Sequence, residues 1–355
     1  MYRQALRKIL LLWLFISAPG YGAVILQYHH VSDKTPGATS TSPERFKQHL
    51  DYLKQHQFRV IPLPELIERI KKGELSDEKI VAITFDDGYR SVYEVAFPLL
   101  QKYQFAFTVF VNSTPIDRGA GEFVTWAELN EMAKAGGTIA NHTASHPHMV
   151  RLLENETTPQ WRKRMSREVT AAEEAIKKQV GQSVKFLAYP YGEFDAKVTA
   201  LMEELGFVGF GQHSGAVGVD ADVLRLPRFP MGANFGKLET FSTKVNTLPL
   251  AVKDRQLLGA NKQPLSEAVV AAGSRPAVQL TLAQAPLASR LHCYLQGEPL
   301  PVEVEGAKVL VKAARGLTAG RSRFNCTARA DDGRYYWYSQ PWLVTGEQGQ
   351  WQHED

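Results

Sequence analysis

From residue 23 to about residue 248 the chain alternates short, largely apolar runs with longer stretches that carry apolar residues at helical spacing. The apolar runs are residues 23–31, 58–61, 79–83, 105–111, 138–140, 184–188 and 207–210. Apolar residues on both faces, without alternation, mark strands buried in a parallel sheet. The stretches between them predict helices. Ser42 is placed as an N-cap ahead of Pro43, and Phe46, Leu50 and Leu53 then share one face. Residues 63–72, 89–102, 126–135, 165–180 and 196–205 follow as further helices. Strand and helix in succession predict a parallel α/β sheet or barrel.

Beyond residue 248 the period changes. Residues 277–282, 290–295, 308–312, 323–328 and 335–344 read as short alternating strands separated by Gly and Asp-Asp-Gly turns. That pattern predicts a small antiparallel β-sandwich. The expected division is 1–23 as a leader, 24–248 as the α/β domain and 249–355 as the β-domain.

Composition changes this picture in two places. The chain has 355 residues, 44% hydrophobic and 22% charged, with a net charge of +4 and no Lys/Arg-rich run, which leaves no case for a nucleic-acid partner. At the N-terminus, Arg3, Arg7 and Lys8 precede an apolar core at 9–16 and small residues at 17–23. This predicts a cleaved signal peptide, an exported protein that is periplasmic or secreted, and no integral membrane segment after cleavage. No cysteine lies near the cleavage region, so a lipoprotein anchor is not expected. Export makes the two cysteines informative: Cys293 and Cys326 are expected to pair in an oxidising compartment.

The candidate chemistry starts at Thr84-Phe85-Asp86-Asp87-Gly88, where a buried strand delivers two adjacent carboxylates to its C-terminal end. Adjacent carboxylates repel unless a cation or a shared proton relieves them. Asn141-His142-Thr143-Ala144-Ser145-His146 follows another strand, and a helical turn would bring His142 and His146 to one side. With one of the two aspartates they form a two-His-one-carboxylate set with open positions. The other aspartate is free to take a proton from a water on that metal. A leaving amine or alkoxide needs an acid, for which His29 is the candidate, with His213 and His148 behind it. His30 points to the opposite face of its strand. Tyr189-Pro190-Tyr191-Gly192 shapes a loop after a strand that could aim a backbone N–H at a reacting oxygen. Trp126 and Trp161 are available to line a sugar groove but are the kind of residue usually found in a core.

These motifs together resemble the polysaccharide deacetylase family (carbohydrate esterase family four, the NodB homology domain), over roughly residues 24–246. The resemblance implies a distorted (β/α) barrel and metal-dependent removal of acetyl groups from polysaccharides. It implies Asp86 as general base and Asp87, His142 and His146 as ligands of one divalent metal. Zinc suits the set; cobalt, nickel, iron and manganese accept it too. It also implies Tyr191 as the oxyanion donor. Tyr28-His29-His30-Val31, ahead of the Asp-Asp motif, is similar to the exported poly-β-1,6-N-acetylglucosamine deacetylases of bacterial biofilms and favours His29 as the acid. Two positions depart from the pattern. His30 stands where that group has Asp. Ala188 stands where many relatives have an Arg that steadies the base, leaving Arg225 or Arg228, with Arg228 favoured, to replace it. The expected activity is N-deacetylation of an N-acetylglucosamine-containing polymer. An O-acetyl esterase or a non-catalytic carbohydrate-binding protein is the alternative.

Overall fold

The computed structural model describes residues 22–75 and 79–351. The expected signal peptide lies almost wholly outside them. Seven parallel strands form the central sheet, in the order Phe229–Pro230, Ala23–Tyr28, Ile80–Phe85, Thr108–Val111, Thr138–Asn141, Phe186–Ala188 and Val208–Phe210. Arg59–Val60 adds an eighth strand beside Ile80–Phe85. Every residue of Ala23–Tyr28 and of Ile80–Phe85 is buried, as strands covered on both faces require. At the far edge the chain turns back: Gly211 donates to the Leu226 carbonyl and Leu226 to that of Gly209, both at 2.9 Å. The alternation predicts a parallel α/β sheet or barrel, and the sheet has the distorted, incomplete (β/α) barrel form that the resemblance implies.

The helices follow the apolar spacing closely. Leu63–Lys72 buries Leu63, Leu66, Ile67 and Ile70 and ends at Gly73 in the left-handed region. The helix beginning near residue 165 starts earlier than expected, at Thr158, where Thr157 and Gln160 form a capping box. Two of the segments read as single elements take another form. The stretch after Asp87 is not one α-helix: a π-helical turn, Val92–Ala96, leads into Phe97–Tyr103. The first strand ends at Tyr28, and His30–Val31 pairs instead with Ser40–Thr41, so His29 sits at the break.

The C-terminal part consists of two all-β sheets around a separate core that includes Val278, Leu280, Val309, Val311, Phe324 and Trp342. Cys293 and Cys326 face each other across paired strands and form the expected disulfide. The sandwich is not purely antiparallel: Leu248–Pro249 and Val269–Ala271 both pair parallel with Tyr335–Thr345. A strand that the sequence pattern missed, Val252–Leu258, opens the second sheet; four of its seven positions are exposed, so it lacks an apolar signature. Gly320–Arg329 alternates in the expected way, with Ser322, Phe324, Cys326 and Ala328 turned into the core. Its other face meets the barrel, as does that of Tyr335–Thr345, whose Trp337 packs edge-on against Phe229 with centroids 5.2 Å apart.

Candidate active site

Parallel strands all end on the same side of a sheet, so the residues just past their C-termini converge. Backbone bonds to the neighbouring strand hold each of them in place. Asp86 N–H donates to Tyr28 O at 2.9 Å, His142 N–H to Val111 O at 3.0 Å and Tyr189 N–H to Phe210 O at 2.9 Å. Beyond Asp86 the chain breaks from strand geometry sharply. Asp87 has φ 70° and Gly88 φ 73°, and a Cβ on Gly88 would stand 3.0 Å from the Val111 side chain. Aspartate tolerates the left-handed region better than most residues, and glycine adopts it freely.

Asp87, His142 and His146 meet here, with one ligand atom from each lying within 4.8 Å of the others. His142 Nε2 is 3.3 Å and His146 Nε2 3.5 Å from Asp87 Oδ1. The two histidines do not share a helical turn. His142 closes a strand, and left-handed φ values at Thr143 (68°) and His146 (59°) fold the intervening residues into a tight loop. Polar groups hold that loop: Asn141 Oδ1 accepts from Thr143 N–H at 2.8 Å, and Thr143 Oγ1 from His146 N–H at 3.0 Å.

This cluster fits a divalent cation. His142 donates Nδ1–H to the Ala188 carbonyl at 2.7 Å, which fixes the tautomer and leaves Nε2 with a lone pair. That atom is fully buried and has no hydrogen-bond partner among the described residues. A lone pair aimed at a carboxylate oxygen is unfavourable unless a cation or a proton lies between them. Ligand atoms about 2.0–2.1 Å from one tetrahedral ion stand roughly 3.3 Å apart, close to the separations found here. Burial pushes the Asp87 carboxyl up, but the imidazoles around it, His142 first, outweigh that and hold the carboxyl well below its usual range. Burial lowers His146 to about 4, which keeps that ring neutral as a ligand must be.

Asp86 is fixed from behind. Arg228 donates Nη1 to Oδ1 at 2.6 Å and Nη2 to Oδ2 at 2.8 Å, and Gln27 Nε2 donates to Oδ2 at 2.6 Å. Burial alone would raise this carboxyl, but the charge of Arg228, then of His142, brings it below the usual carboxylate range. Arg228, not Arg225, reaches it; Arg225 instead faces Asp222 at 3.4 Å. Among the described residues Oδ2 accepts two hydrogen bonds and Oδ1 one, so Oδ1 keeps the capacity to take a proton.

His29 is only partly buried, and its charge bears on Asp86, Asp87 and His146. His30 is buried and stacks on Tyr89 with ring centroids 3.6 Å apart. His213 is buried among Arg323, Arg255 and Arg228, where burial and these charges lower it to about 3. Tyr191 has φ 58°, in a 3₁₀ turn spanning Pro190–Gly192, and its ring stacks flat on His148 at 3.8 Å. His148 in turn donates Nδ1–H to the buried Glu193 at 2.8 Å. Trp161 is 1% exposed and donates to Met149 O at 2.7 Å, so it is core and lines no groove.

Sequence reasoning missed two residues at this site. Gln27 is the one uncharged polar side chain in the run Ala23–Tyr28 apart from the tyrosine hydroxyl, a signal that was there to read. Asn112 Nδ2 donates to His142 O at 2.6 Å and had no signal beyond following a strand.

A curled parallel sheet thus carries an Asp/His/His cluster and a second, arginine-held aspartate at the C-terminal ends of its strands, the arrangement that a NodB-type fold implies. Comparison with known proteins agrees. The sequence model of the polysaccharide deacetylase family matches residues 74–210. A poly-β-1,6-N-acetyl-D-glucosamine N-deacetylase of Staphylococcus epidermidis is 29% identical over 230 residues, covering 58% of this chain and 78% of that protein. An enzyme of the same name from Escherichia coli K12 is 24% identical over 265 residues, covering 65% of this chain but only 39% of the relative. Among solved structures, IcaB from Ammonifex degensii overlays with a TM-score of 0.55 at 24% identity, covering 64% of this chain and 98% of that one. The Streptococcus pyogenes deacetylase PplD, in complex with acetate, gives 0.58 at 23%, covering 64% and 99%.

Proposed function

We propose that this protein is an exported, metal-dependent N-deacetylase acting on an N-acetylglucosamine-containing polymer. The observation that carries the reading is the pairing of two unlike aspartates. Asp87 faces two histidine nitrogens, while Asp86, one residue away, is locked to Arg228 and Gln27 with one oxygen able to accept a proton. Asp87, His142 and His146 would hold the cation, and two imidazoles with one carboxylate favour zinc among the candidates. Bound there, the cation supplies a Lewis acid and lowers the pKa of a water beside it.

Asp86 Oδ1 takes the proton of the water that attacks the acetamide carbonyl. Arg228 and Gln27 keep that carboxylate ionised and aimed, so no reorganisation is needed at the moment of reaction. Tyr191 presents its backbone N–H to the oxyanion as the carbonyl becomes tetrahedral. His29 donates a proton to the departing sugar amine, and acetate is left behind. The names of the relatives favour poly-β-1,6-N-acetylglucosamine as the polymer. Export accords with the disulfide, since such bonds persist in oxidising compartments. Among the described residues no helix is long and apolar enough to cross a membrane. A catalytic unit at 24–248 and a β-unit at 249–355 remain our division of the chain.

The test is acetate release from poly-β-1,6-N-acetylglucosamine oligomers, chitin oligomers, peptidoglycan and acetylated xylan, with and without chelator. Chelator-sensitive release from an amide substrate is expected. Release from xylan alone would make the protein an esterase, and no release from any of the four would overturn the reading.

A further inference from the structure

One strand of the C-terminal sheets donates two arginine hydrogen bonds to backbone carbonyls of the barrel. Arg321 and Arg323 lie two residues apart on Gly320–Arg329 and so project from the same face. Arg321 Nη1 donates to the carbonyl of Tyr191 at 2.7 Å, and its guanidinium lies 5.6 Å from the centre of the Tyr191 ring. Arg323 Nη1 donates to the carbonyl of Gln212, also at 2.7 Å. Neither carbonyl belongs to an ordinary surface loop. Tyr191 is a non-glycine residue held in the left-handed region, a conformation that persists only where its surroundings impose it. Gln212 sits between Gly211, whose carbonyl accepts Arg228 Nε at 2.9 Å, and His213, whose carbonyl accepts Arg228 N–H at 2.9 Å. The two loops also touch: a Cβ on Gly192 would stand 2.6 Å from that of Gln212.

We propose that Arg321 and Arg323 are positioning residues for the deacetylation site, supplied to it by the C-terminal β-part. Arg321 holds the Pro190–Gly192 turn by its outward carbonyl, and so fixes the direction of the Tyr191 N–H on the other side of the same residue. Arg323 holds Gln212, and so fixes the segment that carries Arg228 and through it Asp86. A charged donor on a carbonyl makes a stronger bond than a neutral one, and it opposes relaxation of the strained turn. The β-part then acts on the chemistry of the barrel, beyond any contact with the polymer. This inference rests on the deacetylase reading for the roles of Tyr191 and Asp86, but the bracing itself can be measured without substrate.

The experiment uses the full chain and two readouts. Amide hydrogen exchange by mass spectrometry compares the wild type with Arg321→Ala, Arg321→Lys and Arg323→Ala. Loss of one such bond is expected to speed exchange in peptides spanning 189–193 roughly five- to tenfold in Arg321→Ala. Lysine, which still donates one hydrogen bond, should restore most of the protection. Arg323→Ala should loosen 211–213 instead. On the polymer that the wild type deacetylates, Arg321→Ala should lower kcat by about tenfold or more with KM unchanged, because a displaced donor costs the transition state and not binding. Unchanged exchange at 189–193 in Arg321→Ala overturns the proposal whether or not a substrate is known. A rise in KM with kcat unchanged overturns it too, and makes Arg321 a contact for the polymer. Failure of the wild type to release acetate would strike the deacetylase reading alone, and exchange would still decide the bracing.

Discussion

Arg228 and Asp86 form a two-pronged ion pair across 142 residues of chain, and neither side chain has any exposed surface. Such a pair adds little net stability over an apolar replacement of both partners, but breaking it on one side strands a buried charge. Arg228→Met is therefore expected to cost about 3–5 kcal/mol of folding stability, read by equilibrium denaturation. Arg228→Lys keeps the charge but loses the fork, and should fall between the two. Wild-type stability in Arg228→Met would mean that Asp86 is not ionised in the folded protein.

The proton-accepting and ion-holding roles are expected to separate in a pair of variants. Asp86→Asn keeps the shape and the Arg228 side of the pocket, so bound metal should survive while turnover falls about 10²- to 10⁴-fold. His142→Ala removes a ligand whose Nε2 faces Asp87 at 3.3 Å, and should lose the metal itself. Elemental analysis of the purified variants, beside their acetate release, checks both. Metal retained at full occupancy in His142→Ala would remove that residue from the ligand set.

Acidification should destabilise the fold through His213. Burial, with Arg323, Arg255 and Arg228 nearby, lowers this ring to about 3 in the folded state, against about 6.5 in an unfolded chain. Between those values the unfolded chain binds more protons, so stability is full above about pH 6.5 and declines as pH falls towards 3. His213→Asn should remove about 2 kcal/mol of the stability lost between pH 7 and pH 5, read as a flatter Tm profile over that range. His49, lowered to about 4 by burial, is present in both proteins and leaves the difference intact. Parallel Tm profiles would show that His213 takes up its proton in the folded state.

Cys293 and Cys326 close a loop with a separation of 33 residues. In the chain-entropy account a loop of that size stabilises the fold by about 3–4 kcal/mol. The double Cys→Ala variant should lose that amount in the denaturant transition of the C-terminal sheets. The barrel has hydrophobic clusters of its own, so its transition should move less.

What the sequence determined by itself is what repeats locally. Leu63–Lys72, Ala196–Leu205, Ala277–Leu282 and Lys308–Lys312 occur at the bounds their patterns predict, because the periods of helix and strand are written into a few neighbouring residues. The Asp-Asp pair and the two histidines were legible for the same reason: short motifs at the ends of apolar runs. Tertiary structure decided the rest. Which arginine replaces the one missing at Ala188 depends on a contact 142 residues away, and both Arg225 and Arg228 carry the same local signal. Gln27 reaches Asp86 across 59 residues, and Arg321 reaches Tyr191 across 130. The loop that joins His142 to His146 bends through left-handed residues with no glycine to announce it. A side chain's partner across the fold is set by the summed packing of every element between them, and no window of sequence contains that sum.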